Sequence, residues 1–414
     1  MQTRRVDLLK HSFLFLNAGL LSLPLFYSTP AYSVNLADEQ IERIDASPED
    51  MPAKGKSKHD KVWYERLSLT GFASGGYTAV DTEPTIGNGR FNARFVALDL
   101  DAEIWDSTSF KVQWQMIPLG FEDVQLAGSI KESYIQFKDF LKNLGPDALT
   151  VRAGKMVIPF GEEYNSFHTV LNPLLTTSVY FQYGWVDGVE AFGTVKGVNW
   201  LLAVMNPGSA SFSENIQEKQ LNVKISGKPT DSLYLSASYM SNARSKISGG
   251  ILQSIGIPLG PVNGIPAAGS TARTQAFEFD AHYDVTERVH LKGAYGKTFI
   301  IENPNGADFN LSYVKAESLI NIWSKLFAVA RYSVISNGNS QAGFTIPGEP
   351  SPNSASYAGS AIGLSRKAFG LGYTFSPSLI LKSEIAFDHF DQIDGFTSPS
   401  QDRWLSGVEV AIRF

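Results

Sequence analysis

The 414-residue chain has no cysteine, which removes disulfide scaffolds, cysteine-ligated zinc, iron–sulfur clusters and thiol catalysis together. Charge is scarce as well: Asp, Glu, Lys and Arg make up 18% of residues, against roughly 25% in ordinary soluble domains. The formal net charge of −6 leaves no excess of positive charge and so no footprint for nucleic acid. Long apolar runs are nearly absent too. Mean hydropathy is −0.09, and only one stretch, at the start, approaches the ~20 residues of a transmembrane helix. Apolar content is nevertheless ordinary at 43%, with 12% aromatics and 36 glycines, so the chain is built to fold while replacing charge with Gly, Ser, Asn and rings.

The apolar stretch, Phe13 to Phe26, follows Arg4, Arg5 and Lys10 and precedes Pro30-Ala31-Tyr32-Ser33, where small residues suit a signal-peptidase site. Residues 1–33 therefore read as a secretory signal of a Gram-negative exported protein. Asp7 beside Arg4-Arg5 favours the general secretory route over the twin-arginine route. Residues 34–65 are polar, with an acidic half followed by Lys54, Lys56, Lys58 and Lys61, and read as a periplasmic tether.

From Leu67 onward the period is two. Val96-Ala97-Leu98-Asp99-Leu100-Asp101-Ala102-Glu103-Ile104 places large aliphatics on one parity and carboxylates on the other, which suits a strand. The pattern predicts sixteen strands near 67–80, 91–105, 110–117, 130–137, 149–154, 187–194, 198–205, 219–227, 233–240, 274–283, 289–297, 310–320, 326–335, 362–375, 379–388 and 403–414. Gaps between them alternate long and short, so one rim carries loops and the other turns. The segment 138–148 is longer than such a turn needs. Residues 66–414 are thus expected to form an all-β, transmembrane antiparallel barrel with long extracellular loops. Lipid offers backbone groups no water, so a sheet crosses a membrane only when closed on itself.

With each register set by its apolar residues, charged side chains take the non-lipid parity: Asp99, Asp101, Glu103, Lys111, Glu132, Arg152, Glu190, Lys224, Glu278, Asp280, Lys292, Lys315, Glu317, Arg331, Arg366, Lys382, Glu384, Asp388, Glu409 and Arg413. Strand-end aromatics, Trp105, Phe137, Phe192, Tyr239, Tyr283, Tyr295, Tyr332, Tyr373, Phe375, Phe387, Trp404 and Phe414, are expected in interfacial girdles. A terminal alternating strand ending in Phe414 is similar to the signal read by the barrel-assembly machinery.

Glu132-Ser133-Tyr134-Ile135-Gln136-Phe137, followed by Val151-Arg152-Ala153-Gly154-Lys155-Met156-Val157-Ile158-Pro159-Phe160-Gly161-Glu162-Glu163, resembles a stretch of the phosphate-selective porin O and P family. The likeness is concentrated in residues 130–165. It implies an outer-membrane diffusion channel, a homotrimer in lipid and lipopolysaccharide, narrowed by a third loop folded inward and passing small hydrophilic solutes, including anions such as phosphate. The third long gap, 155–186, fits that loop. Glu132, Tyr134, Arg152, Lys155, Glu162, Glu163, His168 and Arg331 are the candidate pore-lining and constriction residues. The inward charges nevertheless mix acids and bases, so no phosphate site carries over, and weak selectivity is expected.

Chemistry for catalysis is thin. His11, His59, His168, His282, His290 and His389 show no metal spacing, although His282 and His290 flank one turn on one face. Gly370 and Gly372 alternate within a strand and form no phosphate loop. No enzyme, cofactor or metal is expected. Two other readings stand beside the porin: a barrel sleeve housing a partner such as an electron-transfer cytochrome, and a soluble exported binding module.

Overall fold

The computed structural model describes residues 63–80, 90–119, 125–141, 147–163, 171–179, 185–206, 219–246, 271–301, 309–338, 344–345, 360–392 and 402–414. The expected leader, and the tether up to residue 62, lie outside these. A short 3-10 turn, Trp63–Arg66, leads into the sheet.

The strands are β1 (Leu67–Val80), β2 (Arg90–Trp105), β3 (Thr108–Leu119), β4 (Gln125–Phe137), β5 (Thr150–Val157), β6 (Trp185–Val195), β7 (Val198–Met205), β8 (Gln220–Thr230) and β9 (Leu233–Lys246). They continue with β10 (Thr271–Thr286), β11 (Val289–Ile301), β12 (Phe309–Asn321), β13 (Leu326–Asn337), β14 (Phe344–Thr345), β15 (Ser360–Ser376), β16 (Leu379–Gln392) and β17 (Asp402–Arg413). β14 is a two-residue strand beside the start of β15, and β13 pairs with β15 directly, leaving sixteen staves. Each pairs antiparallel with its neighbours, and β1 pairs with β17, so the sheet closes into a barrel with no free edge. Gly71 and Phe414 exchange backbone hydrogen bonds of 2.8 and 2.9 Å at the seam.

The barrel is inside out relative to a soluble protein. Along β8, Gln220, Asn222 and Lys224 are buried while Leu221 and Ile225 are exposed, Ile225 at 54%. Along β17, Glu409 and Ala411 are buried while Val408, Val410 and Ile412 are exposed. Apolar side chains on the outer face suit a lipid solvent, and polar ones turn inward, as in outer-membrane barrels. Every charged strand residue expected on the inner face takes that parity in the observed registers, as in the rung Glu190, Arg152 and Gln136.

The turn rim shows why some links are so short. At Lys196–Gly197 both residues have positive φ, 53° and 79°, the backbone of a tight two-residue hairpin. The longer segment from 138 is tied down where it is described. Lys138 N–H donates to Ser107 O, Phe140 N–H to Leu149 O, and Asp147 O accepts from Thr194 N–H.

Two aromatic and basic assignments need correction. Phe192 shares the inner parity of Glu190, two residues away, and lies 4.4 Å from the Arg152 guanidinium, so it is not a girdle residue. Lys155 is the second correction. β5 runs on to Val157, so Lys155 takes strand parity opposite Ser133 and Asp187 and faces outward, its Nζ 3.1 Å from Ile130 O. Most of the remaining girdle set is exposed, including Trp105, Tyr239, Tyr283, Tyr295, Tyr332, Phe375, Phe387 and Phe414.

Candidate functional site

The connection from β5 to β6 is the third long loop, and its described residues lie inside the barrel. Ile158 and Phe160 are fully buried against Met156, Val186, Met205, Met240 and Ala276, which anchors the loop on β6–β10. Gly161 then turns the chain with φ 70°, a conformation that L side chains rarely adopt. A Cβ there would also meet the Glu278 carboxylate, which would have to move aside. Gly161 N–H donates to Ser238 Oγ (3.1 Å), and its carbonyl accepts from Lys224 Nζ (2.7 Å).

The next two residues are the candidates Glu162 and Glu163. Glu162 pairs with Lys224 (2.7 Å) and accepts from Tyr234 Oη (2.5 Å). Glu163 pairs with Lys315 (3.1 Å) and accepts from the backbone and hydroxyl of Ser178, closing the loop on itself. Burial works to raise both carboxyls. The cations Lys224 beside Glu162, and Lys315 and Arg331 beside Glu163, outweigh it together with the hydrogen bonds, so both lie below the usual carboxylate range.

The returning arm, residues 171–179, is clamped to the opposite wall. Glu384 accepts from the backbone N–H groups of Leu175 and Thr176 and from the Thr176 hydroxyl. Arg331 donates to Thr176 O (2.8 Å) and Asn172 Oδ1 (2.9 Å) while pairing with Glu317. Arg366 forks onto Asp388 and also reaches Thr177 O (3.1 Å). Lys382, paired with Glu409 at 2.8 Å, donates to the carbonyls of Asn172 and Leu174. Val179 N–H donates to Ser333 Oγ. Leu174, fully buried, packs among Leu319, Phe327, Val329 and Ala368. An internal loop carries carbonyls and N–H groups that need partners away from bulk water, and the wall supplies them.

Between the two arms lies an open cleft lined by Glu162, Glu163, Tyr234, Asp280, His282, Lys292, Lys315, Glu317 and Arg331. Carboxylates and cations face each other across it, an arrangement that orients polar solutes without a single sign of charge.

The other sequence candidates fall on a separate wall. Glu132 lies 3.6 Å from Lys111, and Tyr134 stacks 5.0 Å from Arg152, which itself pairs with Glu190 at 3.0 Å. His168 is outside the described residues. Thus Glu162, Glu163 and Arg331 line one cleft, Glu132, Tyr134 and Arg152 sit together on the inner parity of β4 and β5, and Lys155 faces outward. Lys224, Lys315, Lys382 and Glu384 were legible as inward residues but not as loop clamps. His282 stacks on Tyr234 with centroids 5.2 Å apart, while His290 bonds Asp284 and Asn321, so the two histidines are engaged separately.

Solved structures share this architecture. DcaP, an outer-membrane channel of Acinetobacter baumannii, superposes with TM-score 0.57 at 12% identity, covering 87% of this chain and 100% of its own. The anion-selective porin of Comamonas acidovorans gives 0.54 at 10%, covering 84% and 98%. The fold is that of an outer-membrane porin. The trimer form of OmpT, an outer membrane protein of Vibrio cholerae, gives 0.54 at 10%, covering 84% and 99%. Neither a protein-family model nor a curated protein sequence matches the chain.

Proposed function

We propose that the protein is an outer-membrane diffusion channel, passing ions and small hydrophilic solutes through a lumen narrowed by its third loop. The observation that carries this reading is the loop itself: residues 158–163 and 171–179 are bonded to the inner wall from both sides, leaving a polar passage. A sleeve around a partner protein needs the space this loop occupies, so the channel is favoured. Insertion of the purified protein into planar bilayers yields stepwise ion conductance on this reading. A protein that is folded, by its heat-dependent gel shift, and gives no conductance overturns it.

Residues 1–33 act as the export signal, and the last strand, ending in Phe414, engages the barrel-assembly machinery. The outer face of β4–β6 supports self-association as a homotrimer. There Lys131, Ser133, Lys155 and Asp187 take the lipid-side parity. A Lys at the bilayer midplane costs about 2–4 kcal/mol, a cost avoided where a second copy covers it. Light scattering in detergent distinguishes the trimer from the monomer. The family's preference for anions such as phosphate gains no support, because the inward bases of the clad wall, Lys224, Lys315, Arg331, Arg366 and Lys382, are all engaged by the loop or by carboxylates.

A further inference from the structure

Where the loop turns at Gly161, β10 presents two carboxyls two positions apart on one face, Glu278 and Asp280, which are 1% and 5% exposed. Directly across from them on β9 stand Ser238 and Ser236. The loop rests on the first of these rungs. Ser238 Oγ accepts from the Gly161 N–H, and the Glu278 carboxylate lies where a Cβ on Gly161 would sit. Glu278 also accepts from the Tyr313 hydroxyl and pairs with Lys315 at 3.2 Å. That lysine is shared, since the same ammonium lies 3.1 Å from Glu163 of the loop.

Asp280 is placed differently. It accepts from Ser236 Oγ at 3.0 Å and shares a side-chain hydrogen bond with Glu278, and it forms no ion pair among the described residues. The charged groups packed around it hold one another instead. Glu162 pairs with Lys224 of β8 at 2.7 Å, and Glu163 and Glu278 both pair with Lys315 of β12. Glu317 pairs with Arg331 of β13 and, at 3.9 Å, with Lys292 of β11, while His282 stacks on Tyr234 of β9. Five carboxyls, Glu162, Glu163, Glu278, Asp280 and Glu317, thus meet four cations, Lys224, Lys292, Lys315 and Arg331, and Asp280 is the carboxyl of this group without an ion pair among the described residues. Two carboxylates can only accept, so a hydrogen bond between Glu278 and Asp280 requires a proton on one of them. A second buried negative charge without a cation is costly, and one proton held by the pair removes it.

We propose that Glu278 and Asp280 share one proton at neutral pH and that this proton seats the third loop, so that alkali widens the channel. The electrical consequence rests on the channel reading; the shared proton does not. With the proton in place, Lys315 serves one carboxylate of the wall and one of the loop. When hydroxide takes the proton as water, the second carboxylate competes for Lys315, and its charge also repels Glu162 and Glu163. Both effects weaken the loop's hold on β8–β12. The sign follows: seating is present while the proton is bound and is lost as pH rises.

Infrared difference spectroscopy of the folded protein in detergent, wild type minus Asp280→Asn at neutral pH, tests the shared proton without any current. The C=O stretch of a protonated carboxyl is expected, and its absence overturns the proposal. Single-channel conductance, stepped from neutral pH to about pH 9.5, below the range near ~10 where lysine and tyrosine titrate, tests the loop. Wild-type conductance is expected to rise and to return on neutralisation. Asp280→Asn cannot ionise, and its amide can still donate to Glu278, so its conductance is expected to be the same at both ends of the range. A flat wild-type profile, or a variant that rises as the wild type does, overturns the role of the proton in seating the loop. If Asp280→Asn fails to fold, Glu278→Gln is read the same way, with the carboxyl band and the alkaline rise both lost. A folded wild type without any conductance overturns the channel reading and the widening with it, and the infrared band then decides the shared proton alone.

Discussion

The two walls of the lumen carry similar side chains to opposite ends. On β8–β17, Lys224, Lys315, Arg331, Arg366 and Lys382 sit within hydrogen-bonding distance of a loop carbonyl or a carboxylate, and Glu384 holds loop N–H groups. On β2–β4, Asp99, Asp101, Glu103 and Glu132 take the inner parity, and Lys111 lies 3.7 Å from Asp99 and 3.6 Å from Glu132. Both walls mix acids and bases, and what separates them is that the charges of β8–β17 hold a loop while those described on β2–β5 hold one another. Which charges face water depends on the loop's course, and the loop's course depends on where its backbone finds partners.

The largest expected effect comes from breaking the clad wall. Arg331→Ala removes bonds to Thr176 O and Asn172 and leaves Glu317 with only the longer 3.9 Å pairing to Lys292, a loss on the order of 3 kcal/mol for a buried pair. Larger single-channel conductance and a lower thermal midpoint are expected, and an unchanged conductance would detach Arg331 from the loop. Next in size is Gly161→Ala. It forces a Cβ onto the Glu278 carboxylate at φ 70°, with a backbone cost of about 1–2 kcal/mol. Noisier open-channel current is the expected readout.

Acid should act more gently on the same wall. Glu162 and Glu163 are held below their ordinary value of 4.5, so the stability they lend the loop is present above that value and is lost as pH falls through their folded values. Current noise should therefore rise only well below pH 4.5 and revert on neutralisation. The smallest effect is expected from Lys155→Gln, since Lys155 faces outward: reversal potential should stay at the wild-type value. A measurable shift would return Lys155 to the lumen.

Much of the barrel was legible from alternation alone, because lipid on one side and water on the other impose a strict period of two. β1 and β7 match 67–80 and 198–205 at both ends. β4 begins at Gln125, five residues before the expected 130, because Ala127, Gly128 and Ser129 blur the alternation and a bulge at Gln113/Trp114 shifts the register. Lys155 was misplaced for a related reason, the extension of β5 to Val157, which turned a supposed loop residue into an outward strand residue. Phe192 could have been placed correctly from the sequence, since it shares its parity with Glu190. The clamps were beyond reach: Lys382 meets Asn172 across 210 positions and Glu384 meets Thr176 across 208, and no local pattern encodes which wall a loop leans on.

The central claim is that the third loop lies in the lumen and narrows it. Single-channel conductance of the wild type, measured beside a variant with residues 164–177 replaced by a short Gly-Ser linker and checked for folding by its gel shift, tests this most directly. The account predicts a clear rise in conductance when the loop arm is removed. Equal or lower conductance in the folded variant would contradict it.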